Sequence, residues 1–311
     1  METVKRYPCT ILASAVIPWA ENNEFDEKIF RRQIRAITGR GITHIYVFGT
    51  AGEGYAVSDE QYEEVIRTFA DEMKAPGLEP MAGVISMSQT TVLKRIKMAY
   101  RYGLRDFMIT MPCWGALSDA EMNRFFHDVC DPFPDCRFVY YNLLRTKRLL
   151  TVQELTVLSG EIPNLAGAKF CSNDFFVVGE IATANSPLQF FVTEAALLHG
   201  NLLGECSLLI TVGNINIKKA FEYYNAAVSG ETGKAIPLYR EIMAMNRTLH
   251  RLCEGTKIDG AYDKMFSKLV DSEFPLRLLP PYTCYGEEVF EKFRCFVKEN
   301  YPDWLEPQSG Y

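Results

Sequence analysis

The sequence predicts an α/β protein, a (β/α)8 TIM barrel with a C-terminal helical extension. Two observations carry that reading. Short apolar runs alternate with amphipathic segments eight times, and the runs are apolar on successive residues, as in IYVF, FMITM and FVYY. Parallel strands covered on both faces have this pattern, whereas half-exposed sheets alternate apolar and polar residues. The length agrees: the eight units take about 215 residues, against ~250 for a typical barrel of this kind. The alternative is a doubly wound open sheet, which has no need of eight strands.

Strands are predicted at 10–15, 44–48, 79–84, 106–111, 137–141, 166–170, 189–192 and 207–212. Between them lie DEKIFRRQIRAITGRG, SDEQYEEVIRTFADEM, QTTVLKRIKMAYRYG, SDAEMNRFFHDVC and TVQELTVLSGEI, each with apolar residues at helical spacing. Several open on Ser, Thr or Asp, which cap the first free N–H groups of a helix. A faint internal echo supports repetition: RGITHIYVFGT and YGLRDFMITMP each place Gly just before a strand. After Asn214 the strand signal stops, and INIKKAFEYYNAAVSG, GKAIPLYREIMAMNRTLHRLC and GEEVFEKFRCFVKENY read as helices. The expected organisation is a barrel domain over 1–228 and a helical region packed on it over 229–311, closing in a loose tail, PDWLEPQSGY.

Composition excludes several classes of function. The 311 residues suffice for one large α/β domain, and 48% hydrophobic with 23% charged residues is ordinary for a globular protein. A net charge of −6 without a block of Lys and Arg argues against nucleic-acid binding and adhesion to anionic membranes. The apolar run near the N-terminus is broken by Pro18 and is too short to span a bilayer, so a soluble cytoplasmic protein is expected. Nine cysteines at irregular spacing with no CxxC read as reduced thiols, and the four scattered histidines form no metal-ligand pattern. No metal or cofactor is expected.

Three stretches stand where barrel chemistry sits, at the C-terminal ends of strands. FGTAGEG follows the second strand; it is neither GxGxxG nor a P-loop, and it reads as a tight turn or as a backbone nest for an anion. FVYYNLLRTK ends the fifth strand, bringing Tyr141 to the rim and Arg145 into the following loop. LAGAKFCSND ends the sixth with Lys169. That lysine reads as a strand-end residue whose head reaches solvent, or as a buried amine whose pKa burial lowers into a nucleophilic range.

Taken in order, GTAGE, YN with a nearby RT, GAKF and LGECSLLITVGN resemble the dihydrodipicolinate synthase / N-acetylneuraminate lyase family of pyruvate-dependent Schiff-base aldolases. The resemblance runs from about Thr10 to Val228, and AVIPW matches the family's opening. It implies that Lys169 forms a Schiff base with pyruvate or a longer 2-oxo acid. Tyr141 then moves protons and Thr50 orients it. The Thr50 and Ala51 N–H groups beside Gly49 hold the substrate carboxylate, the glycines letting backbone approach it. Arg145, Leu209 and Trp114 complete the substrate site by the same resemblance, which also implies a homo-oligomer, usually a tetramer.

Departures from the family pattern bear on the substrate. Ala51 replaces a second hydroxyl residue. MPCWG puts Cys113 and Trp114 where the synthases proper carry a tyrosine pair, which removes their cross-subunit relay. The YN…RT loop is one residue shorter and lacks a proline, which frees Arg145 to point elsewhere. These changes disfavour dihydrodipicolinate synthase proper. Trp114 is more like the hydratase-aldolase branch acting on aryl-substituted pyruvates, as a pocket floor or equally as an interface residue. A non-catalytic 2-oxo acid sensor on the same barrel and a metal-dependent aldolase are the competing classes. Joint presence of Lys169 and Tyr141 favours catalysis.

Overall fold

The computed structural model describes residues 4–305. Eight parallel strands close into a barrel in sequence order: β1 (Ile11–Ser14), β2 (His44–Val47), β3 (Glu79–Gly83), β4 (Asp106–Ile109), β5 (Arg137–Asn142), β6 (Leu165–Phe170), β7 (Gln189–Thr193) and β8 (Ser207–Ile210), the last pairing with the first. All eight predicted strands are present, and the open-sheet alternative is excluded by that closure. Helices α1 (Glu27–Thr38), α2 (Asp59–Glu72), α3 (Gln89–Arg101), α4 (Asp119–Cys130), α5 (Val152–Glu161), α6 (Phe175–Ala182), α7 (Glu194–Leu203) and α8 (Ile217–Val228) form the outer ring. Ser58 and Thr151 show why helices start where the sequence places them: each side chain accepts from a backbone N–H while a Gln or Glu three residues on reaches back.

Alternation along the strands sorts side chains into two cores. Ile45, Phe107, Tyr140 and Ala168 point outward against the helices, whereas Leu12, Tyr46, Met81, Met108, Val139, Tyr141, Phe191 and Leu209 fill the barrel interior. The N-terminal end of the barrel is closed by polar contacts: Asp106 accepts from Tyr7 at 2.7 Å and from Arg137 Nε at 2.7 Å. The opposite end is left to the strand–helix loops.

Beyond the ring lie α9 (Thr232–Leu252), α10 (Gly260–Val270) and α11 (Glu287–Asn300). One of these, α10, was not singled out in the sequence, and it matters most for the site. The start of the expected loose tail is ordered instead: Pro302–Trp304 forms a 3-10 turn with Trp304 buried, its Nε1 donating to Glu241 at 2.6 Å. From residue 306 onward that stretch lies outside the described residues.

Candidate active site

Register brings the two central residues together. Tyr141 on β5 lies directly beside Lys169 on β6, and both side chains enter the barrel. Lys169 is only 2% exposed, so its head does not reach bulk solvent. Its Nζ sits 3.7 Å from the centroid of the Tyr141 ring and donates to the Tyr46 hydroxyl at 3.1 Å. The cation is held over an aromatic face and against a phenol oxygen, and among the described residues no carboxylate comes within ion-pair distance of it.

One of the two readings of this amine from the sequence was that burial lowers its pKa. Burial does oppose the charge, but attraction to Tyr141, Tyr46 and Cys171 outweighs it, and Lys169 is held above the ordinary lysine range. The ammonium form therefore rests in the site, and attack on a ketone first requires that proton to leave. Burial likewise pushes the Tyr141 phenol up, with Lys169 the largest opposing influence, so Tyr141 keeps its proton at neutral pH. Its hydroxyl meets the Thr50 hydroxyl at a long 3.5 Å and the Cys171 thiol at 3.4 Å.

The FGTAGEG loop follows β2. Phe48 adopts a left-handed backbone (φ 59°), as does Glu53 (φ 57°), conformations that L residues seldom hold unless their surroundings enforce them. The glycines are required by the packing of the loop itself. A Cβ on Gly52 would stand 2.8 Å from the Phe48 nitrogen, and one on Gly49 would stand 2.5 Å from the Tyr46 ring. Gly49 thus makes room for the tyrosine that holds Lys169. The N–H groups of Thr50 and Ala51 donate no hydrogen bond among the described residues, so they remain available to an anion. Glu53 faces away from the site and anchors the loop. It accepts from Trp19 Nε1 at 2.9 Å, the Leu279 N–H at 2.7 Å and Lys264 Nζ of α10 at 2.6 Å.

The loop after β5 is fixed by two residues of the YN…RT pattern. Asn142 bonds both ways with the Leu150 backbone (2.7 and 2.9 Å), and Thr146 donates to the carbonyls of Leu143 and Arg148. They present Arg145 over the mouth, where both guanidinium nitrogens meet Asp259 at 3.1 and 3.4 Å. Asp259 immediately precedes α10. Its carboxylate lies below the usual range because hydrogen bonds from Arg145 and Thr50 overcome the opposing effect of burial. Asp263, one helical turn further, is pushed up to about 8 by burial and by Asp259, against the attraction of Lys169.

Two cavities open at this end of the barrel. One, of about 760 Å³, is lined by Tyr141, Phe170, Cys171 and a run of leucines; the other, of about 470 Å³, by Thr50, Tyr55 and Ile85; Leu143 and Arg145 border both. Leu209 belongs to the interior cluster with Tyr46 and Tyr141. Trp114 departs from the expected pocket floor: it is 83% exposed and lines neither cavity. Among the described residues no three His, Cys, Asp or Glu side chains gather to hold a metal ion.

Residues 8–298 match the Dihydrodipicolinate synthetase family. The chain belongs to that family. A 4-hydroxy-tetrahydrodipicolinate synthase of Nitratidesulfovibrio vulgaris (Miyazaki F) is 22% identical over 86% of this chain and 92% of its own length. An N-acetylneuraminate lyase of Salmonella paratyphi B is 25% identical over 58% of this chain and 61% of its own. Among solved structures, a prophage protein of the dihydrodipicolinic acid synthase family from E. coli K12, in complex with pyruvate, superposes with a TM-score of 0.85 at 15% identity, covering 94% of this chain and 98% of its own. At that identity the likeness shows the fold. Members of the Dihydrodipicolinate synthetase family are class I aldolases and lyases, and this chain is an enzyme of that kind.

Sequence reasoning within this family missed Tyr46, Asp259 and Asp263. For Tyr46 a signal existed: in HIYV it shares its strand face with His44, and Tyr on an inward strand position seldom lies idle. For the two aspartates the signal was their spacing of four, which puts both on one face of a helix.

Proposed function

We propose that this family member is a Schiff-base-forming lyase or synthase that makes or breaks a carbon–carbon bond, or hydrates or dehydrates, in a pyruvate-derived 2-oxo acid. Dihydrodipicolinate synthesis proper stays disfavoured, since Cys113 and Trp114 supply no hydroxyl relay. The observation that carries the reading is a lysine enclosed between two tyrosines at the centre of the barrel, with unpaired backbone N–H groups across the mouth.

Pyruvate enters with its carboxylate on the Thr50 and Ala51 N–H groups beside Gly49. Lys169 passes a proton to a neighbouring hydroxyl or to water, and the neutral Nζ adds to C2. The carbinolamine loses water, with Tyr141 delivering the proton to the departing oxygen. When the bound 2-oxo acid is a 4-hydroxy-2-oxo acid, its iminium accepts the electron pair left on C3 as the C3–C4 bond breaks, and Tyr141, left as phenolate by the dehydration, takes the proton from the C4 hydroxyl as the aldehyde forms. In the synthetic direction the pyruvate iminium gives a C3 proton to the Tyr141 phenolate, the enamine carbon attacks the aldehyde, and Tyr141 passes that proton to the aldehyde oxygen. Thr50 orients Tyr141, and Leu209 closes the apolar wall behind the pyruvate methyl. Trp114, exposed and lining neither cavity in the single chain, belongs to the reading only as an interface residue.

The reading includes a homo-oligomer, a tetramer by resemblance, supported by the exposed side chains of Phe175, Phe176, Leu202 and Leu203 on neighbouring helices. It also includes a cytoplasmic location, supported by nine unpaired cysteines. The barrel over 1–228 and the helical region over 229–311 act as one unit, tied by the Glu53–Lys264 pair.

The test is pyruvate release from a panel of 4-hydroxy-2-oxo acids, with a hydratase readout alongside. Lys169→Ala abolishes turnover, Tyr141→Phe slows it by roughly 10²–10⁴-fold while binding persists, and chelators change nothing. Normal turnover by Lys169→Ala overturns the proposal.

A further inference from the structure

We infer that Asp259 sets acceptor specificity: by occupying Arg145 it leaves the site without a cation for a second carboxylate, and the enzyme takes an uncharged, apolar aldehyde. This rests on the pyruvate–Schiff-base reading and adds to it the class of the second substrate.

The argument is a charge count at the mouth. Once pyruvate is bound, its carboxylate and the Lys169 iminium offset one another. The remaining cation bordering both cavities is Arg145, and each of its terminal nitrogens already meets an Asp259 oxygen, at 3.1 and 3.4 Å. Arg95, which also lines the smaller cavity, is committed to the carbonyls of Gly54, Ile85 and Val57. The larger cavity carries Glu180 in addition to Asp259, so its lining residues contain more negative than positive groups.

Asp259 cannot easily give way. It is followed by Gly260, where a Cβ would stand 2.9 Å from the Ala51 carbonyl and 3.0 Å from Leu278, so the start of α10 is pressed onto the carboxylate loop itself. If Arg145 turned to a substrate carboxylate, the Asp259 carboxylate would be left facing it without its cation. Like charges so placed disfavour binding, and specificity of this sort comes from repulsion as much as attraction.

The walls say what fits instead. Leu143, Leu144, Leu149, Leu150, Val152 and Phe170 line the larger cavity next to Tyr141. A tail leaving C4 past the Tyr141 hydroxyl meets mainly hydrocarbon, which favours an aliphatic or aromatic group. The reaction balances without a further reagent: the enamine C3 bonds to the aldehyde carbon, the aldehyde oxygen takes the Tyr141 proton, and hydrolysis of the iminium releases a 4-hydroxy-2-oxo acid.

The experiment presents the full-length enzyme with pyruvate and benzaldehyde, isovaleraldehyde, glyceraldehyde or succinic semialdehyde, and measures kcat/KM for each. Benzaldehyde or isovaleraldehyde should exceed succinic semialdehyde by about tenfold or more. Asp259→Asn should free Arg145 and raise the succinic semialdehyde value about tenfold relative to the apolar ones, with Asp259→Ser moving it the same way. A wild-type preference for succinic semialdehyde or for glyceraldehyde overturns the inference, as does an unchanged ratio in both folded variants. Borohydride trapping of pyruvate on the same samples separates the two levels. A trapped adduct with the wrong acceptor preference sinks this inference alone, whereas no adduct sinks the reading beneath it.

Discussion

Glu53 and Lys264 form an ion pair at 2.6 Å with both side chains wholly enclosed, joining the loop that carries Thr50 to α10, which follows Asp259. Burial draws the Lys264 pKa down, and the attraction and hydrogen bond of Glu53 oppose that. Lys264→Met should strand the Glu53 carboxylate in the interior and cost about 3–5 kcal/mol, whereas Lys264→Met with Glu53→Gln should cost less than the single change. Denaturant unfolding of the two variants measures this. A single variant within about 1 kcal/mol of wild type means the pair does not hold the two parts together.

Tyr46 holds the proton of Lys169 through the 3.1 Å hydrogen bond. Because attraction to the surrounding phenols and thiol overrides burial and keeps the amine charged, the neutral nucleophile is scarce at neutral pH. The rate of imine formation with pyruvate should therefore climb from about pH 6 to about pH 9 without levelling near neutrality. Tyr46→Phe removes one of the groups that raise the pKa, so its profile should shift toward lower pH even if the maximal rate falls. A wild-type profile already flat below about pH 7 contradicts this placement of the proton.

Asp263 should make stability depend on pH. Its pKa is pushed up to about 8 by burial and by Asp259, against Lys169, while in the unfolded chain it returns to the ordinary carboxylate value. Between those values the folded state keeps a proton that the unfolded state has lost, so stability falls as pH rises toward about 8 and levels beyond it. The loss is on the order of 2 kcal/mol, since partial solvent access weakens the effect. Unfolding midpoints across that range should decline in the wild type and flatten in Asp263→Asn. Equal slopes in the two proteins contradict the assignment.

The barrel was legible because parallel strands buried on both faces must be apolar throughout, and FMITM or FVYY has no other use in an α/β chain. Several predicted strand ends overran: β4 stops at Ile109 and β8 at Ile210, because the next residues already turn into the site loops. Lys169 and Tyr141 were legible as a pair at neighbouring strand ends. The charge on that lysine was not, since its sign depends on Tyr46, which is 123 positions away in sequence. The partner of Arg145 was hidden for the same reason: Asp259 lies beyond the barrel, before a helix whose first turn, GAYD, shows no apolar periodicity. Trp114 illustrates the limit for loops, where sequence carries no alternation to tell an inward side chain from an exposed one.

The central claim is that Lys169 bonds covalently to the 2-oxo acid. The most direct measurement is intact mass after borohydride treatment in the presence of pyruvate, followed by peptide mapping. The account predicts one reduced pyruvate adduct per chain on the peptide containing GAKFCSND, absent from Lys169→Ala. An adduct on another lysine, or its survival in Lys169→Ala, would contradict the account.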